Sequence, residues 1–255
     1  MTTTFYDDLA PFYHLLYPDW EASIHRQGAQ LATLLANHGV MAGATILDAA
    51  CGIGTQTIGL ALSGYIVHAS DVSPAAVDRS RQEMARRGLA AELCVADVRT
   101  LEHTHHGGFS AVLACDNAIP HLLSDADIIA ALRSCREQLA PGGVLVLSVR
   151  DYATIVRKDR EVRPYGVHDE HDSRFLAVQV WDWDGDQYDL RLYLTTEHED
   201  GQCTTRVLRS RYYAITVAQL MVLMREVGFE DVARDDSAFF QPVLVGFRPR
   251  APAPA

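Results

Sequence analysis

The segment 44–60, with the sequence ATILDAACGIGTQTIGL, constrains the fold of this chain more than any other part. It begins with a short apolar run at 45–47, typical of a buried parallel strand, and Asp48 follows directly. A loop of small residues then leads into a second apolar run with helical character. A strand, a tight glycine loop and a helix in this order predict the first unit of a nucleotide-binding α/β sheet. The N-terminus of the helix would point at the ligand.

The spacing within the loop distinguishes between nucleotide ligands. A dinucleotide fingerprint needs a third small residue at the position of Thr57, and a phosphate-binding loop needs Lys before Ser or Thr; the chain has neither. The pattern of Asp48, Ala50, Gly52 and Gly54 instead resembles motif I of the class I S-adenosylmethionine (SAM) methyltransferases. The resemblance implies that these four residues form part of a SAM site and that no metal is needed. It also implies S-adenosylhomocysteine as the product.

Composition and charge narrow the classes of partner. A chain of 255 residues with 48% hydrophobic residues is long enough for one α/β domain with an elaboration. Its net charge of −11 argues against a nucleic-acid partner, because phosphate neutralisation needs basic stripes. The sequence has no apolar run of membrane-spanning length and no signal-peptide pattern, and its five cysteines stand singly. We therefore expect a cytoplasmic protein with no membrane partner.

Two further predicted strands end in acids that suit an adenosine site. The second strand ends at Asp71, 19 residues after Gly52, where an acid accepts hydrogen bonds from both ribose hydroxyls. Val72 follows it, and the alternative role for Asp71 is to cap the next helix. The third strand ends at Asp97 and Val98. By the resemblance, Asp97 bonds the adenine amino group and the amide of Val98 lies at the ring edge.

The loop after the fourth predicted strand, CDNAIPH, carries candidate reacting groups. Open α/β sheets bind ligands outside the carboxyl ends of their strands, so Asp116, Asn117 and His121 are expected beside the transferred methyl group. We place Cys115 in the cofactor site with Asp116. Asn117 has the alternative of capping a turn, and His121 that of simple packing. His121, with an ordinary pKa near 6.5, is a candidate base, and Tyr13 or, alternatively, Tyr6 is a candidate contact to the acceptor or the sulfonium.

Three segments resemble the glycine and sarcosine N-methyltransferases more closely. They are the loop CDNAIPHLL, the residues RDY at 150–152, and the N-terminal YPDW followed by Arg26. The resemblance implies that Asn117 and Arg150 contact the acceptor, Arg150 through a carboxylate, which suits a guanidinium fork. It also places three residues in the SAM pocket: Trp20, Arg26 and His121.

The chain departs from these enzymes in ways that leave the acceptor open. Asp116 stands where they have a small residue, and the turn after the fifth strand reads VRDY instead of HRNY. We expect a small-molecule acceptor methylated on an amine nitrogen, either glycine- or sarcosine-like or a secondary-metabolite amine. C-methylation of an indole or alkaloid, and a non-catalytic SAM-binding module, are the alternatives.

The remaining patterns predict the domain organisation. The expected fold is α/β, a Rossmann-like seven-stranded SAM methyltransferase sheet with an inserted antiparallel β lid after strand five. The lid contains three predicted strands and four aromatic residues that either line an acceptor pocket or pack in a core: Tyr165, Trp181, Trp183 and Tyr212. The expected units are a helical cap (1–40), the SAM-binding domain (41–152 and 214–250), the lid (153–213) and a disordered tail (251–255). A homo-oligomer is possible by the resemblance.

Overall fold

A computed structural model describes residues 2–170 and 172–250 of the chain; the expected tail at 251–255 lies outside this part. The described α-helices are α1 (Thr2–Leu9), α2 (Trp20–Asn37), α3 (Thr55–Leu62), α4 (Pro74–Arg86), α5 (Asp125–Gln138) and α6 (Val217–Glu226). The strands are β1 (Thr45–Asp48), β2 (Ile66–Asp71), β3 (Glu92–Val95), β4 (Phe109–Ala114), β5 (Leu139–Ser148), β6 (Glu161–Glu170), β7 (Ser173–Asp184), β8 (Gln187–His198), β9 (Cys203–Tyr213), β10 (Glu230–Asp235) and β11 (Val243–Phe247). Among the described helices, none is long and apolar enough to cross a membrane.

The predicted Rossmann-like seven-stranded sheet is confirmed. Its strand order is β10-β11-β5-β4-β1-β2-β3, with β1 to β5 parallel and β11 antiparallel to both β5 and β10. The chain moves outward in one direction from β1 through β3 and in the other from β4 through β5. This reversal between β1 and β4 leaves a crevice at the carboxyl ends of the strands, where sheets of this type bind ligands.

Side-chain caps define the starts of most helices. α2, α4, α5 and α6 each begin after a side chain that accepts a hydrogen bond from a backbone N–H in the first turn: Asp19, Ser73, Ser124 and Thr216. α3 begins differently, because its N-cap is Gly54, which has no side chain. The first-turn amides of α3 therefore face the crevice without a side-chain cap.

α2 packs against α3 at a contact between two glycines. A Cβ on Gly28 would lie 2.5 Å from Cα of Gly59, and a Cβ on Gly59 would lie 2.7 Å from Cα of Gly28. No other residue type permits this approach without moving the helices apart. The contact fixes α2 on the helix that carries the glycine loop.

The insertion after β5 forms a second sheet of four antiparallel strands, β6-β7-β8-β9. The expectation of three strands was wrong, because β6 was missed. Pro164 and Gly166 interrupt the alternation of β6, and its register with β7 shifts between these two residues. Proline is tolerated here because β6 is an edge strand, whose outward groups need no partner in the sheet.

Helix α1 connects the two sheets. Its apolar residues Phe5 and Leu9 pack in the core of the second sheet, together with Trp181 and Tyr188. On the other side, Asp7 accepts hydrogen bonds from Oγ of Ser73 and from the N–H of Ala75 at the start of α4, at 2.5 and 3.1 Å. The N-terminal segment is thus held by both units and covers the crevice between them.

Candidate active site

A first cavity, of about 370 Å³, opens at the carboxyl ends of β1 to β4. The loops that follow these strands build much of its wall, as expected for an open α/β sheet. Its volume is in the range of cavities that enclose drug-sized ligands. Ten of the predicted site residues line it: Tyr13, Ala50, Gly52, Asp71, Val72, Asp97, Val98, Cys115, Asp116 and His121.

The glycine loop after β1 brings backbone groups to this cavity. Gly52 and Gly54 have φ angles of 52° and 95°, in the left-handed region that favours glycine. Gly52 lines the cavity, whereas Gly54 does not. A Cβ on Gly54 would lie 2.5 Å from Oγ of Ser80. Gly54 therefore shapes the loop from behind.

Asp71 ties the glycine loop to the end of β2. One carboxylate oxygen accepts a hydrogen bond from the N–H of Gly52 and the other from the N–H of Ser73, both at 2.9 Å. Burial raises the pKa of Asp71, and these backbone hydrogen bonds oppose the rise. The carboxylate thus caps the turn before α4, as in the alternative role, and it also faces the cavity. Each oxygen has a further lone pair for a ligand hydroxyl.

Asp48 lies behind the loop and outside the wall of the first cavity, although motif I places it in the SAM site. Its side chain is buried and accepts a hydrogen bond from Oγ1 of Thr57 at 2.7 Å. The second carboxylate oxygen, Oδ1, is buried and has no hydrogen-bond partner in the part of the chain that the structure describes. Burial raises the pKa of Asp48 to about 6. Its contacts support the strand-to-helix turn.

Asp97, at the end of β3, is paired with a residue that the sequence analysis missed. Arg99 donates hydrogen bonds to both carboxylate oxygens of Asp97 and to Asp127 on α5. The guanidinium lowers the pKa of Asp97. Arg99 and Asp127 both line the first cavity. The expected adenine end of the site is therefore a charged cluster in place of a single carboxylate.

A second cavity, of about 300 Å³, lies between α1, the loop after β4 and the second sheet. It meets the first cavity at three residues that line both: Tyr6, Tyr13 and Asp116. Its wall also includes Tyr165 and Tyr212 from the second sheet and Gln241 from the loop before β11. Ligands bound in the two cavities would therefore lie next to each other beside these three residues.

His121 lies in the first cavity wall and is fixed on three sides. Its Nε2 is hydrogen-bonded to Oη of Tyr6, its Nδ1 lies 3.4 Å from Oγ of Ser210, and its ring packs on Tyr212 with centroids 4.0 Å apart. Burial, assisted by the charge of Arg150, lowers the pKa of His121 to about 3. An imidazole with this pKa is a weak proton acceptor at neutral pH, so the lowered pKa gives the expected base role no support.

Arg150 and Asn117 form one hydrogen-bonded unit in the second cavity. The guanidinium of Arg150 donates to Oη of Tyr165 at 3.2 Å and lies 5.3 Å from the ring centroid of Trp181. The side chain of Asn117 accepts from the N–H of Arg150 and donates to Oη of Tyr152. Asn117 is 3% exposed, so its main contacts hold the turn that carries Arg150.

Two comparisons with known proteins agree with this geometry. Residues 46–143 match the family model described as a methyltransferase domain. The glycine/sarcosine N-methyltransferase of Parasynechococcus marenigrum is 31% identical over 145 residues, which cover 57% of this chain and 50% of that protein. Residues 46–143 therefore resemble a methyltransferase domain, and the chain has the fold of the class I SAM-dependent methyltransferases.

Two further similar proteins extend the comparison. The cypemycin N-terminal methyltransferase of a Streptomyces species is 27% identical over 224 residues, which cover 88% of each chain. The solved structure of a SAM-bound amino pentose methyltransferase from Micromonospora echinaspora has a TM-score of 0.76 at 21% identity, covering 89% of this chain and 92% of that one. This likeness concerns the fold. The chain spans about half the length of the glycine/sarcosine enzyme that it matches.

The first cavity has groups that suit SAM. The carboxylates of Asp71 and Asp97 line it and are hydrogen-bond acceptors, which hydroxyl and amino groups of a ligand need. The amide-rich loop around Gly52 suits the methionine carboxylate. Oxygen atoms and ring faces of Tyr6 and Tyr13 are available to a sulfonium at the boundary with the second cavity.

Trp20 and Arg26 lie elsewhere, although the resemblance places both in the SAM pocket. The indole N–H of Trp20 donates to Oγ1 of Thr55 at 2.8 Å, and its ring packs outside the first cavity. Arg26 is exposed, donates to Oγ of Ser23, and lines the second cavity. Trp20 therefore supports the start of α3. Arg26 lies at the second cavity and not at the first cavity, where the resemblance places it.

Several lining residues were not assigned to the site from the sequence. They are Thr2, Thr3, Arg99 and Asp127 in the first cavity, and Gln179 and Gln241 in the second. Tyr6, the alternative to Tyr13 in the sequence analysis, lines both cavities. Gln179 and Gln241 stand in patterns without chemical signal, and only the folded chain brings them to the cavity.

Proposed function

We propose that the protein transfers a methyl group from SAM to an amine nitrogen of a small-molecule acceptor. The supporting observation is the meeting of two cavities at Tyr6, Tyr13 and Asp116. The first cavity has the groups that SAM needs, and the second contains a guanidinium and a carboxylate that suit a polar acceptor. The relatives named as N-methyltransferases support nitrogen over carbon or oxygen.

In this proposal the protein acts mainly by orientation. When bound, SAM supplies a methyl group already activated on a sulfonium. The two cavities meet at Tyr13 and Asp116, so the loops after β1 and β4 can hold the acceptor nitrogen on the side of the methyl carbon opposite sulfur, as in-line displacement requires. Such orientation of reactants contributes roughly 7–11 kcal/mol to lowering a barrier. The product from the cofactor is S-adenosylhomocysteine.

The proposed roles follow the positions of the side chains. In the first cavity, Asp71 accepts from the ribose hydroxyls, and Asp97 and Val98 bind adenine. The remaining lining residues of the sequence analysis, Ala50, Gly52, Cys115 and His121, complete the wall around the cofactor. Asp48 and Gly54 act through the shape of the loop. Tyr13 and Arg150 contact the acceptor, and Asn117 positions Arg150.

The aromatic residues of the second sheet give limited support to an indole C-methyltransferase. Trp181 and Tyr188 are 1% and 0% exposed and stack on each other with centroids 4.3 Å apart, in the core of that sheet. Tyr165 and Tyr212 line the second cavity, whereas Trp181 and Trp183 do not. The indole rings of the protein are therefore unavailable to stack on an acceptor there.

The experiment is a methyl-transfer assay with SAM carrying a deuterated methyl group, followed by mass spectrometry. Glycine, sarcosine, arylalkylamines and indole derivatives are offered, and S-adenosylhomocysteine is the common readout. Label on an amine nitrogen supports the proposal, and label only on carbon or oxygen contradicts it. No transfer to any acceptor, with SAM still bound, favours a non-catalytic SAM-binding module. Asp71→Ala removes the carboxylate proposed to accept hydrogen bonds from the ribose hydroxyls and serves as the control with an impaired cofactor site.

A further inference from the structure

Asp116 is the one acid among the described residues that line the second cavity. It follows β4 with a left-handed φ of 54°, and its backbone N–H donates to Oγ of Ser148 at 2.7 Å. Non-glycine residues adopt such a φ uncommonly, so the conformation of Asp116 needs a structural or functional reason. The carboxylate faces both cavities, at the boundary where the methyl group is to be transferred.

The carboxylate of Asp116 has neutral hydrogen-bond partners in the described structure. Oη of Tyr17 donates to one oxygen at 3.2 Å, and Nε2 of Gln241 lies 3.4 Å from the other. Both contacts are long, and neither partner carries a charge. A carboxylate withdrawn from water is stable when a cation or several strong donors compensate it. The structure therefore leaves room for a cationic partner supplied from the cavity.

Arg150 does not supply that partner. Its guanidinium bonds the hydroxyl of Tyr165 and lies beside the ring of Trp181. The charge of Arg150 lowers the pKa of Asp116, while burial raises it above the ordinary value. A second guanidinium in the wall, that of Arg26, donates to Oγ of Ser23. Among the described residues the cavity thus holds one carboxylate and two guanidinium groups without an ion pair between them, so Asp116 and Arg150 can recognise different parts of a ligand.

The size and lining of the second cavity bear on the rest of the acceptor. Its wall includes Phe5, Leu9 and Leu16, and Phe240, which is 51% exposed, stands at its edge. At about 300 Å³ the cavity is much larger than glycine, which has only a methylene group and a carboxylate beside its amine and so no apolar body. These apolar side chains can contact an apolar body of the acceptor, beside the polar groups that line the rest of the wall.

We propose that Asp116 binds the protonated nitrogen of the acceptor, and that the acceptor is a primary or secondary amine attached to an apolar body. The inference rests on the proposed function and names its substrate class. Asp116 takes one N–H proton from the ammonium and becomes a carboxylic acid. The freed lone pair forms the new N–C bond as the C–S bond breaks, and the electron pair of that bond stays on sulfur. The product leaves as an N-methylammonium, and Asp116 returns its proton to water.

The test measures binding to the protein saturated with S-adenosylhomocysteine. Phenethylamine hydrochloride and its neutral counterpart 2-phenylethanol are titrated at neutral pH by calorimetry, with glycine as the small amine. We expect phenethylamine to bind at least about tenfold more tightly than 2-phenylethanol, because a hydrogen bond to a charged group exceeds a neutral one. We expect a similar preference over glycine, because glycine lacks the apolar body. Asp116→Asn removes this preference, and Asp116→Glu retains part of it. Asp78→Asn, which removes an exposed carboxylate on α4, leaves the preference unchanged.

Each contrary result has a distinct meaning. Equal binding of the amine and the alcohol, or a preference that survives Asp116→Asn, overturns the role of Asp116. Binding of neither probe, or of glycine alone, overturns the proposed acceptor class, while bound S-adenosylhomocysteine leaves the proposed function intact. Failure of the wild-type protein to bind S-adenosylhomocysteine contradicts the proposed function itself. Retained binding of S-adenosylhomocysteine by each variant shows that the variant is folded.

Discussion

Oη of Tyr6 lies 2.8 Å from Nε2 of His121, although the two residues are 115 positions apart in the sequence. Tyr6 belongs to α1 and His121 to the short 3₁₀ turn Ile119–Leu122 after β4. The hydrogen bond closes the first cavity between the N-terminal segment and the main sheet. Burial, assisted by the charge of Arg150, lowers the pKa of His121 to about 3 and so favours the neutral imidazole in this hydrogen bond.

His121→Ala is predicted to lower turnover far more than SAM affinity. Loss of the hydrogen bond frees Tyr6, and misplacement of a positioning group by about 1 Å costs on the order of 100-fold in rate. Tyr6→Phe breaks the same bond, so the double variant should be little worse than either single one. Steady-state kinetics and SAM titration by calorimetry measure both effects. Multiplicative losses in the double variant, or weakened SAM binding with normal turnover, would contradict the pairing.

Arg150→Lys is predicted to raise the acceptor KM by about tenfold or more, because lysine lacks the planar fork. SAM affinity should be unchanged. Arg163→Lys is the matched control: its guanidinium also faces Trp181, at 4.0 Å from the ring centroid, but Arg163 does not line the second cavity. Initial-rate measurements over a range of acceptor concentrations compare the two. Equal changes in KM would show that contact with Trp181, and not recognition of the acceptor, is what matters.

Asp48→Asn is predicted to change the pH dependence of stability. The pKa of Asp48 is about 6 in the folded protein, above its ordinary 3.8. Its contribution to stability is therefore fully present below pH 3.8 and is lost as the pH rises through 6, a difference of roughly 3 kcal/mol. The free energy of unfolding of the variant, minus that of the wild type, should increase between pH 4 and pH 7. Denaturant titrations without cofactor test this, with Asp78→Asn as control; a constant difference would refute it.

Gly28→Ala is predicted to destabilise the protein by about 1–3 kcal/mol, the usual cost of overpacking. The added Cβ would lie 2.5 Å from Cα of Gly59, and backbone atoms cannot move aside as a flexible side chain does. Thr33→Ala, at an exposed position of the same helix, should be close to neutral. Chemical unfolding of both variants measures the difference. Equal stability of the two would mean that α2 and α3 are free to separate.

The first cavity was largely predictable because its signals are local. Gly52, Asp71 and Asp97 stand at the end of a strand or within four residues after it, and in a parallel sheet the ends of neighbouring strands meet at one edge. The order of elements then determines which residues come together. Asp48 shows the limit of this reasoning, since the pattern identifies the motif without saying which of its residues face the ligand.

The second cavity was less predictable because it forms between distant segments. Gln179 comes from β7 and Gln241 from the loop before β11, and nothing in their neighbourhood in the sequence indicates a site. Trp20 stands near Arg26 in the sequence, yet one packs against α3 and the other faces the second cavity. The edge strand β6 was missed because Pro164 and Gly166 interrupt its pattern, and only pairing with β7 makes it a strand.

Helix α1 forms part of the wall of both cavities and is attached to both sheets, through Asp7 on one side and Phe5 and Leu9 on the other. In the proposed function, release of α1 would expose both cavities at once, so that spent cofactor and methylated product would leave, and the next reactants would enter, in one opening event. The detachment rate of these eight residues would then set an upper limit on how often the proposed cycle repeats.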